Sequence, residues 1–235
     1  MIDRKLMEET LSLAAEYLEG LPDRPVGARA SVAELRKRLR TPLPERGTDP
    51  GTVIRELAGD ADGGLVACAG PRYFGFVTGG ALPAALSADW LASAWDQNAV
   101  LSIASPAAGV VEETLSDWVL ELADLPRESS VGFVTGCQMA NFTCLAAARH
   151  EVLRQAGWDV EALGLFGAPP VTVVAGEEAH ATLFVALRML GLGTERVVRV
   201  AADGQGRMDP AALEQALDGV TGPLVVCLQA GNVNT

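Results

Sequence analysis

Short apolar strand patterns alternate with helical patterns along the second half of the chain. Strands are expected at VGFV (131–134), VTVVAG (171–176), RVVRV (196–200) and PLVVCLQAG (223–231). Helices are expected between them at 139–155, 181–190 and 210–217, the last with Asp209 as its N-cap and Pro210 in its first turn. Such alternation requires crossover connections between parallel strands. The sequence therefore predicts an α/β fold: a mostly parallel sheet with helices on both faces.

The first 62 residues show helical patterns and no strand pattern. Helices are expected over 6–18 and 32–39 and from 52 to 58, separated by proline-containing linkers. A further helix is expected later, from 110 to 125. We expect residues 1–62 to form a helical N-terminal arm that contacts a partner subunit. Residues 63–235 would then form the larger α/β domain.

Charge and cysteine usage restrict the possible partners and compartments. The formal net charge is −12, which argues against a nucleic-acid groove or an anionic membrane surface as the main partner. No stretch reads as a membrane span, and acidic residues from position 3 onward leave no signal-peptide core. The four cysteines are widely spaced and match neither a disulfide framework nor a metal motif. We expect a cytoplasmic protein with no metal site.

The carboxyl ends of the predicted strands carry small and polar residues. In parallel sheets, ligands bind beyond these ends, which here are TGCQ, GEEAH and AGNVNT. Gly136, Cys137 and Gln138 open a helix, where free N–H groups and the helix dipole can hold a phosphate without a lysine. The stretch is neither a P-loop nor a GxGxxG fingerprint. A plain connection between strand and helix explains it about as well as an anion site does.

His180 is one of only two histidines, and it follows a predicted strand at this binding edge. An imidazole there could stack on a flat cofactor or transfer a proton. On the residues alone, an ordinary helix start with only local hydrogen bonds is the favoured interpretation. The second histidine, His150, is expected on the surface. Earlier in the chain, the PRYFGF stretch places Tyr73 and Phe74 between glycines, a pattern typical of a pocket lining.

Taken together, several segments resemble the pyridoxal-phosphate-dependent group II amino-acid decarboxylases, a family of the fold-type I aminotransferase superfamily. The resemblance runs from about residue 70 to the end of the sequence, in the family's order and approximate spacing. The segments are PRYFGFVTGGALPAALSADWLASAWDQN, SPAAGVVEETLSDWVLELADLP, GFVTGCQMANFTCLAAAR, EEAHATLFVALRMLGLG and AGNVNT. The set is specific, although each piece alone is not.

The resemblance implies a role for each matching position. Gly136, Cys137 and Gln138 would form the phosphate loop, and Asn141 would contact the cofactor one turn later. His180 would stack on the pyridine ring and help direct which bond breaks. Asn234 would contact the cofactor on the side opposite His180. Tyr73 and Phe74 would line the substrate pocket, and the arm would be the family's dimer-forming extension.

The implied activity is decarboxylation of an L-amino acid by a homodimer that uses pyridoxal 5′-phosphate. The sequence departs from the family in its lysines, since Lys5 and Lys37 both lie in the arm. The family's Schiff-base lysine and ring-nitrogen aspartate lie beyond the position that matches residue 235. We therefore expect the N-terminal portion of a longer enzyme, inactive as this chain alone.

Other interpretations stay open at this level. The same scaffold also supports aldehyde-forming and amine-transferring enzymes. A short, non-catalytic paralogue could instead act as a binding or structural protein. A nucleotide-binding α/β domain is disfavoured because the chain has no glycine-rich fingerprint. The paired aromatics suit an aromatic amino acid as substrate, and acidic substrates are not excluded.

Overall fold

The computed structural model describes residues 3–231, which form parts of two compact units, Met1–Gln97 and Asn98–Thr235. Asn234 lies outside the described residues. Within residues 3–231, no helix combines the length and the apolar character needed to cross a bilayer.

The described part of the first unit contains helices and no strand. The helices are α1 (Arg4–Gly20), α2 (Val32–Leu39), α3 (Pro50–Asp62) and α4 (Pro83–Trp95). The first three confirm predicted helices, and the sequence analysis missed α4. Local caps explain where they begin: Ser31 and Glu34 form a capping box, and Asp49 caps α3 with Pro50 in its first turn.

One carboxylate joins distant segments of the first unit. Asp62, at the end of α3, forms ion pairs with Arg24 at 2.7 Å and with Arg29. The hydrogen bond from Arg24 is the main reason that the pKa of Asp62 is lowered. Arg24 also lies over the Tyr17 ring, 5.0 Å from its centroid. These contacts hold the chain after α1 against the end of α3.

The second unit contains the sheet. Its helices are α5 (Pro106–Leu122), α6 (Cys137–Gln155), α7 (Val160–Leu163), α8 (Ala181–Met189) and α9 (Pro210–Leu217). Its strands are β1 (Thr172–Gly176), β2 (Val198–Val200) and β3 (Leu224–Cys227). The predicted start of α9 is confirmed, because Asp209 accepts hydrogen bonds from two backbone N–H groups of its first turn.

The three strands form a parallel sheet in the order β2-β1-β3. Val174 is the register partner of both Val198 and Val226. The chain runs from β1 through α8 to β2 on one side of β1, and then from β2 through α9 to β3 on the other side. Because such crossovers are right-handed, α8 and α9 lie on opposite faces of the sheet. Both faces of β1 are covered accordingly, since Val173, Val174 and Ala175 are all buried. The predicted mostly parallel α/β fold is confirmed.

The core of this unit lies between the sheet and the helices on one of its faces. α6 and α8 pack side by side and bury a single apolar cluster against the sheet, formed by Leu145, Val173, Ala186, Leu187, Leu190 and Val225. Leu187 is fully buried. This packing fixes the N-terminal ends of α6 and α8 relative to each other.

The predicted strand at 131–134 is wrong. This segment is irregular, and Phe133 is 51% exposed. A strand needs a neighbour for its backbone hydrogen bonds, and within residues 3–231 no backbone hydrogen bond ties this segment to the sheet. The apolar pattern alone could not reveal that a partner strand was missing.

Candidate cofactor site

The candidate site lies at the carboxyl edge of the sheet. The strands β2 and β3 pair with opposite edges of β1, so the chain reverses its direction across the sheet. At such a reversal, a crevice is expected outside the carboxyl ends of β1 and β3. The loop after β1 leads directly into His180 and α8. Contacts from the first turns of α6 reach the first turn of α8, so both helix starts meet at this edge.

The start of α6 has the geometry of an anion site. Gly136 precedes the helix with φ 124° and ψ 172°, and its carbonyl accepts from the N–H groups of Met139 and Ala140. The N–H groups of Cys137 and Gln138 have no hydrogen-bond partner within residues 3–231. Two unpaired amides at the positive end of a helix of 19 residues suit a phosphate group.

His180 is the N-cap residue of α8 and is exposed. Its Nδ1 lies 2.9 Å from the Thr182 hydroxyl oxygen and 3.3 Å from the Thr182 backbone nitrogen. Both contacts are on the same edge of the imidazole. The side chain is exposed, and within residues 3–231 no hydrogen bond engages Nε2.

Three of the predicted cofactor residues meet at Thr182. The Gln138 side-chain amide donates to the Thr182 carbonyl at 3.3 Å, and Asn141 Nδ2 donates to the Thr182 hydroxyl at 2.9 Å. His180 contacts the same hydroxyl from its own helix. Thr182 itself was missed by the sequence analysis. The available signal was a hydroxyl side chain two residues after the histidine, where it can bond locally.

Glu177, in the same loop, has a structural role. Its backbone N–H donates to the Val200 carbonyl, and its Oε1 accepts from the Ala202 N–H at 2.6 Å. The side chain thus joins the end of β1 to the residues that follow β2.

The other predicted site residues lie elsewhere or outside the described part of the chain. Tyr73 is half-buried and Phe74 is 93% exposed, both in the first unit. Their role in a substrate pocket stays a prediction. Asn234 falls outside residues 3–231, and its role also stays a prediction. Lys5 and Lys37 lie in α1 and α2, within the first unit.

Comparison with known proteins identifies the family. The pyridoxal-dependent decarboxylase conserved domain matches residues 34–234. An aromatic-L-amino-acid decarboxylase of Bacillus atrophaeus is 26% identical over 98% of this chain and 47% of its own length. An L-2,4-diaminobutyrate decarboxylase of Rhizobium meliloti is 30% identical over 82% of this chain and 38% of its own length. The chain thus spans about half the length, or less, of these curated relatives.

Solved structures agree with the sequence matches. The tryptophan decarboxylase (TDC) of Oryza sativa with pyridoxal 5′-phosphate (PLP) and tryptamine superimposes with a TM-score of 0.79 and 25% identity. The superposition covers 91% of this chain and 45% of the rice chain. These matches support pyridoxal 5′-phosphate as the cofactor, in agreement with the amides at the start of α6 and the accessible imidazole. By its match over residues 34–234, the chain belongs to the pyridoxal-dependent decarboxylase family.

Proposed function

We propose that this chain forms the phosphate-binding and ring-contacting part of an enzyme that decarboxylates an L-amino acid with pyridoxal 5′-phosphate. One observation carries the proposal: Gln138, Asn141 and His180 converge on Thr182 beside two unpaired amides. Structural ion pairs or core packing would not require this arrangement at the binding edge of a parallel sheet. The cofactor supplies an electron sink when bound.

The start of α6 binds the phosphate in this proposal. The N–H groups of Cys137 and Gln138 donate to its oxygens, and the dipole of α6 adds a favourable field. Space beside Gly136 is open, since within residues 3–231 no atom lies within 4 Å of the place where its Cβ would be. No basic side chain is needed at this position.

His180 holds the cofactor ring and controls a proton beside it. Its accessible ring face covers the pyridine, which limits how the ring and substrate can turn and keeps water from that side. Its Nε2 lies on the edge of the imidazole away from Thr182, where it can donate a hydrogen bond to a bound group. Asn234, Tyr73 and Phe74 would complete the cofactor and substrate contacts.

The lysine that holds the cofactor would come from outside these 235 residues. Both lysines of the chain lie in helices of the first unit, and neither follows a strand of the sheet. The curated relatives are about twice as long as the matched region, which supports this division of roles. We expect no decarboxylation by the 235-residue chain alone.

The proposed enzyme is a cytoplasmic homodimer. Residues 1–62 would form a helical arm that packs on the second subunit, and exposed apolar side chains within residues 3–62 support this role. All four cysteines carry free thiols, as expected in a reducing compartment. The amino-acid substrate stays open, since the named relatives act on aromatic amino acids and on diaminobutyrate.

The test measures the carbon dioxide released from a panel of L-amino acids. It uses the protein as produced from its native gene, supplied with pyridoxal 5′-phosphate. Product analysis separates amine from aldehyde. We expect His180→Gln to lower the rate about a hundredfold or more, as for loss of a group that handles a proton. His150→Gln is the matched control and should keep the rate. Equal effects of the two substitutions, or no carbon dioxide from any amino acid, would contradict the proposal.

A further inference from the structure

The hydroxyl of Thr182 lies between two residues of the proposed cofactor site. Asn141 Nδ2 is 2.9 Å from Oγ1 on one side, and His180 Nδ1 is 2.9 Å from the same oxygen on the other. Thr182 is half-buried, its contact with Asn141 is partly buried, and its contact with His180 is exposed. The hydroxyl therefore links α6 to the imidazole that begins α8.

Donor and acceptor roles along this chain of contacts follow from the chemistry of each group. The Asn141 NH₂ group can only donate, so Oγ1 accepts from it. The single hydroxyl proton of Thr182 is then free to point at His180 Nδ1. The Thr182 backbone N–H also points at Nδ1, at 3.3 Å, and a backbone N–H cannot accept. Nδ1 thus faces two donors and must be the unprotonated nitrogen of the ring.

We propose that Thr182 is a positioning residue that locks His180 in the tautomer with its proton on Nε2. The locked ring presents an N–H donor, and never a bare nitrogen, on the edge that faces the ligand side. The effect of the locked ring on decarboxylation rests on the proposed function, whereas the tautomer of His180 does not depend on it. Thr182 acts through His180 and needs no contact with substrate or cofactor.

The same contacts couple the imidazole to the phosphate-binding turn. Gln138 supplies one of the two unpaired amides, and its side chain holds the Thr182 carbonyl at 3.3 Å. Asn141, one turn further along α6, holds the hydroxyl. A shift of α6 would therefore move Thr182 and reorient the ring of His180. The phosphate and ring contacts are built as one unit.

Nitrogen-15 NMR of the imidazole rings tests the proposal on the 235-residue chain without any cofactor. In mildly alkaline buffer a free imidazole is neutral and exchanges between its two tautomers. The chain has two histidines, so His180→Gln assigns the signals. We expect His180 to show an unprotonated Nδ1 and a protonated Nε2. Their two nitrogen-15 chemical shifts should lie further apart than the tautomer-averaged shifts of free histidine. Averaged shifts, or a proton on Nδ1, would overturn the proposal whether or not the Thr182 variants described below fold.

Two substitutions separate the hydroxyl from the shape of the side chain. Thr182→Val is close in shape but removes the hydroxyl, and Thr182→Ser keeps it. With valine, only the backbone N–H donor to Nδ1 is left, so we expect the His180 shifts to move towards the averaged values. With serine, we expect them to stay. Identical shifts in wild type and the valine variant, or identical changes in both variants, would count against the proposal. Backbone amide spectra check that the variants are folded.

A titration with pyridoxamine 5′-phosphate, which lacks the aldehyde that could react with Lys5 or Lys37, separates the two proposals. We expect Thr182→Val to weaken its binding roughly threefold to tenfold, as for loss of one hydrogen bond, and Thr182→Ser to change it less than about twofold. If wild type binds pyridoxamine 5′-phosphate no better than pyridoxamine, the proposed function fails. The tautomer result would stand unaffected by that failure.

Discussion

Gly136 adopts a backbone conformation that only glycine tolerates well. With φ 124° and ψ 172°, it lies in a region where a Cβ clashes with the residue's own backbone. The N–H groups of Cys137 and Gln138 directly follow this conformation and have no hydrogen-bond partner within residues 3–231. Space around the residue is open, so the requirement comes from the backbone and not from a neighbour. The shape of the proposed phosphate-binding turn depends on this one residue.

Gly136→Ala is therefore expected to lower the free energy of unfolding by about 1–3 kcal/mol, the usual cost of a strained backbone residue. Gly132→Ala is the matched control, because Gly132 also has open space and shows no positive φ. Denaturant titration of both variants measures the difference. Equal stabilities of the two variants would mean that the turn tolerates a Cβ.

The pKa of the Glu151 carboxyl is strongly lowered by its neighbours on α6. Hydrogen bonds from Arg154 and, to a smaller extent, Gln155 lower the pKa of Glu151 from 4.5 to about 2. A carboxyl with a lowered pKa stabilises the fold while ionised. This contribution is present above about pH 4.5 and is lost as the pH falls towards 2.

NMR titration of the Glu151 carboxyl should give a midpoint near 2. Arg154→Met should raise that pKa towards 4.5, because it removes the larger hydrogen-bond donor. Gln155→Met should raise it less. A larger effect from the Gln155 substitution than from the Arg154 substitution would contradict the assigned cause.

At the scale of elements, the packing of α8 against α6 and the sheet holds the site together. Leu187 lies on the inner face of α8 and is fully buried, whereas Met189 on the same helix is 57% exposed. Arg149 of α6 also donates to the carbonyl of Leu190 at the end of α8, at 2.9 Å. The two helices are thus fixed at both ends.

Leu187→Ala should lower the free energy of unfolding by about 2–5 kcal/mol, since it leaves a cavity in the core. Met189→Ala should cost less than about 1 kcal/mol because its side chain is largely in water. The pair is compared by denaturant unfolding monitored by circular dichroism. Similar costs at both positions would show that α8 does not pack as described.

Elements that depend on local interactions were predictable from the sequence, and those that depend on distant partners were not. The capping box of Ser31 and the Asp209–Pro210 start of α9 lie within single turns, so their residues alone indicate them. The strand prediction for 131–134 was wrong because a strand needs a neighbouring strand, and the sequence pattern of one segment does not show whether that neighbour is present. Thr182 was missed for a related reason: its partner Asn141 lies 41 residues away.

At the scale of the whole molecule, apolar side chains are exposed on the helical arm. On α1, Met7 is 57% and Leu11 50% exposed, four residues apart on one face of the helix. Exposed apolar faces on helices of this kind mark sites of association. This supports the proposed role of residues 1–62 in the dimer.

Leu11→Glu should weaken self-association at least tenfold, because it places a charge on the proposed interface. Leu43→Glu makes the same chemical change at a position that is 93% exposed and lies between helices. Sedimentation velocity over a range of concentrations compares the two with wild type. A wild-type chain that stays monomeric, or equal weakening by both substitutions, would argue against a dimer formed through α1.

The most direct test of the central claim is a map of backbone amide shifts on adding pyridoxamine 5′-phosphate to the 235-residue chain. If the phosphate binds at the start of α6, the amides of Cys137 and Gln138 should shift most, with His180 following, and pyridoxamine without the phosphate should leave them unchanged. Shifts confined to other residues, or equal responses to both compounds, would contradict the account.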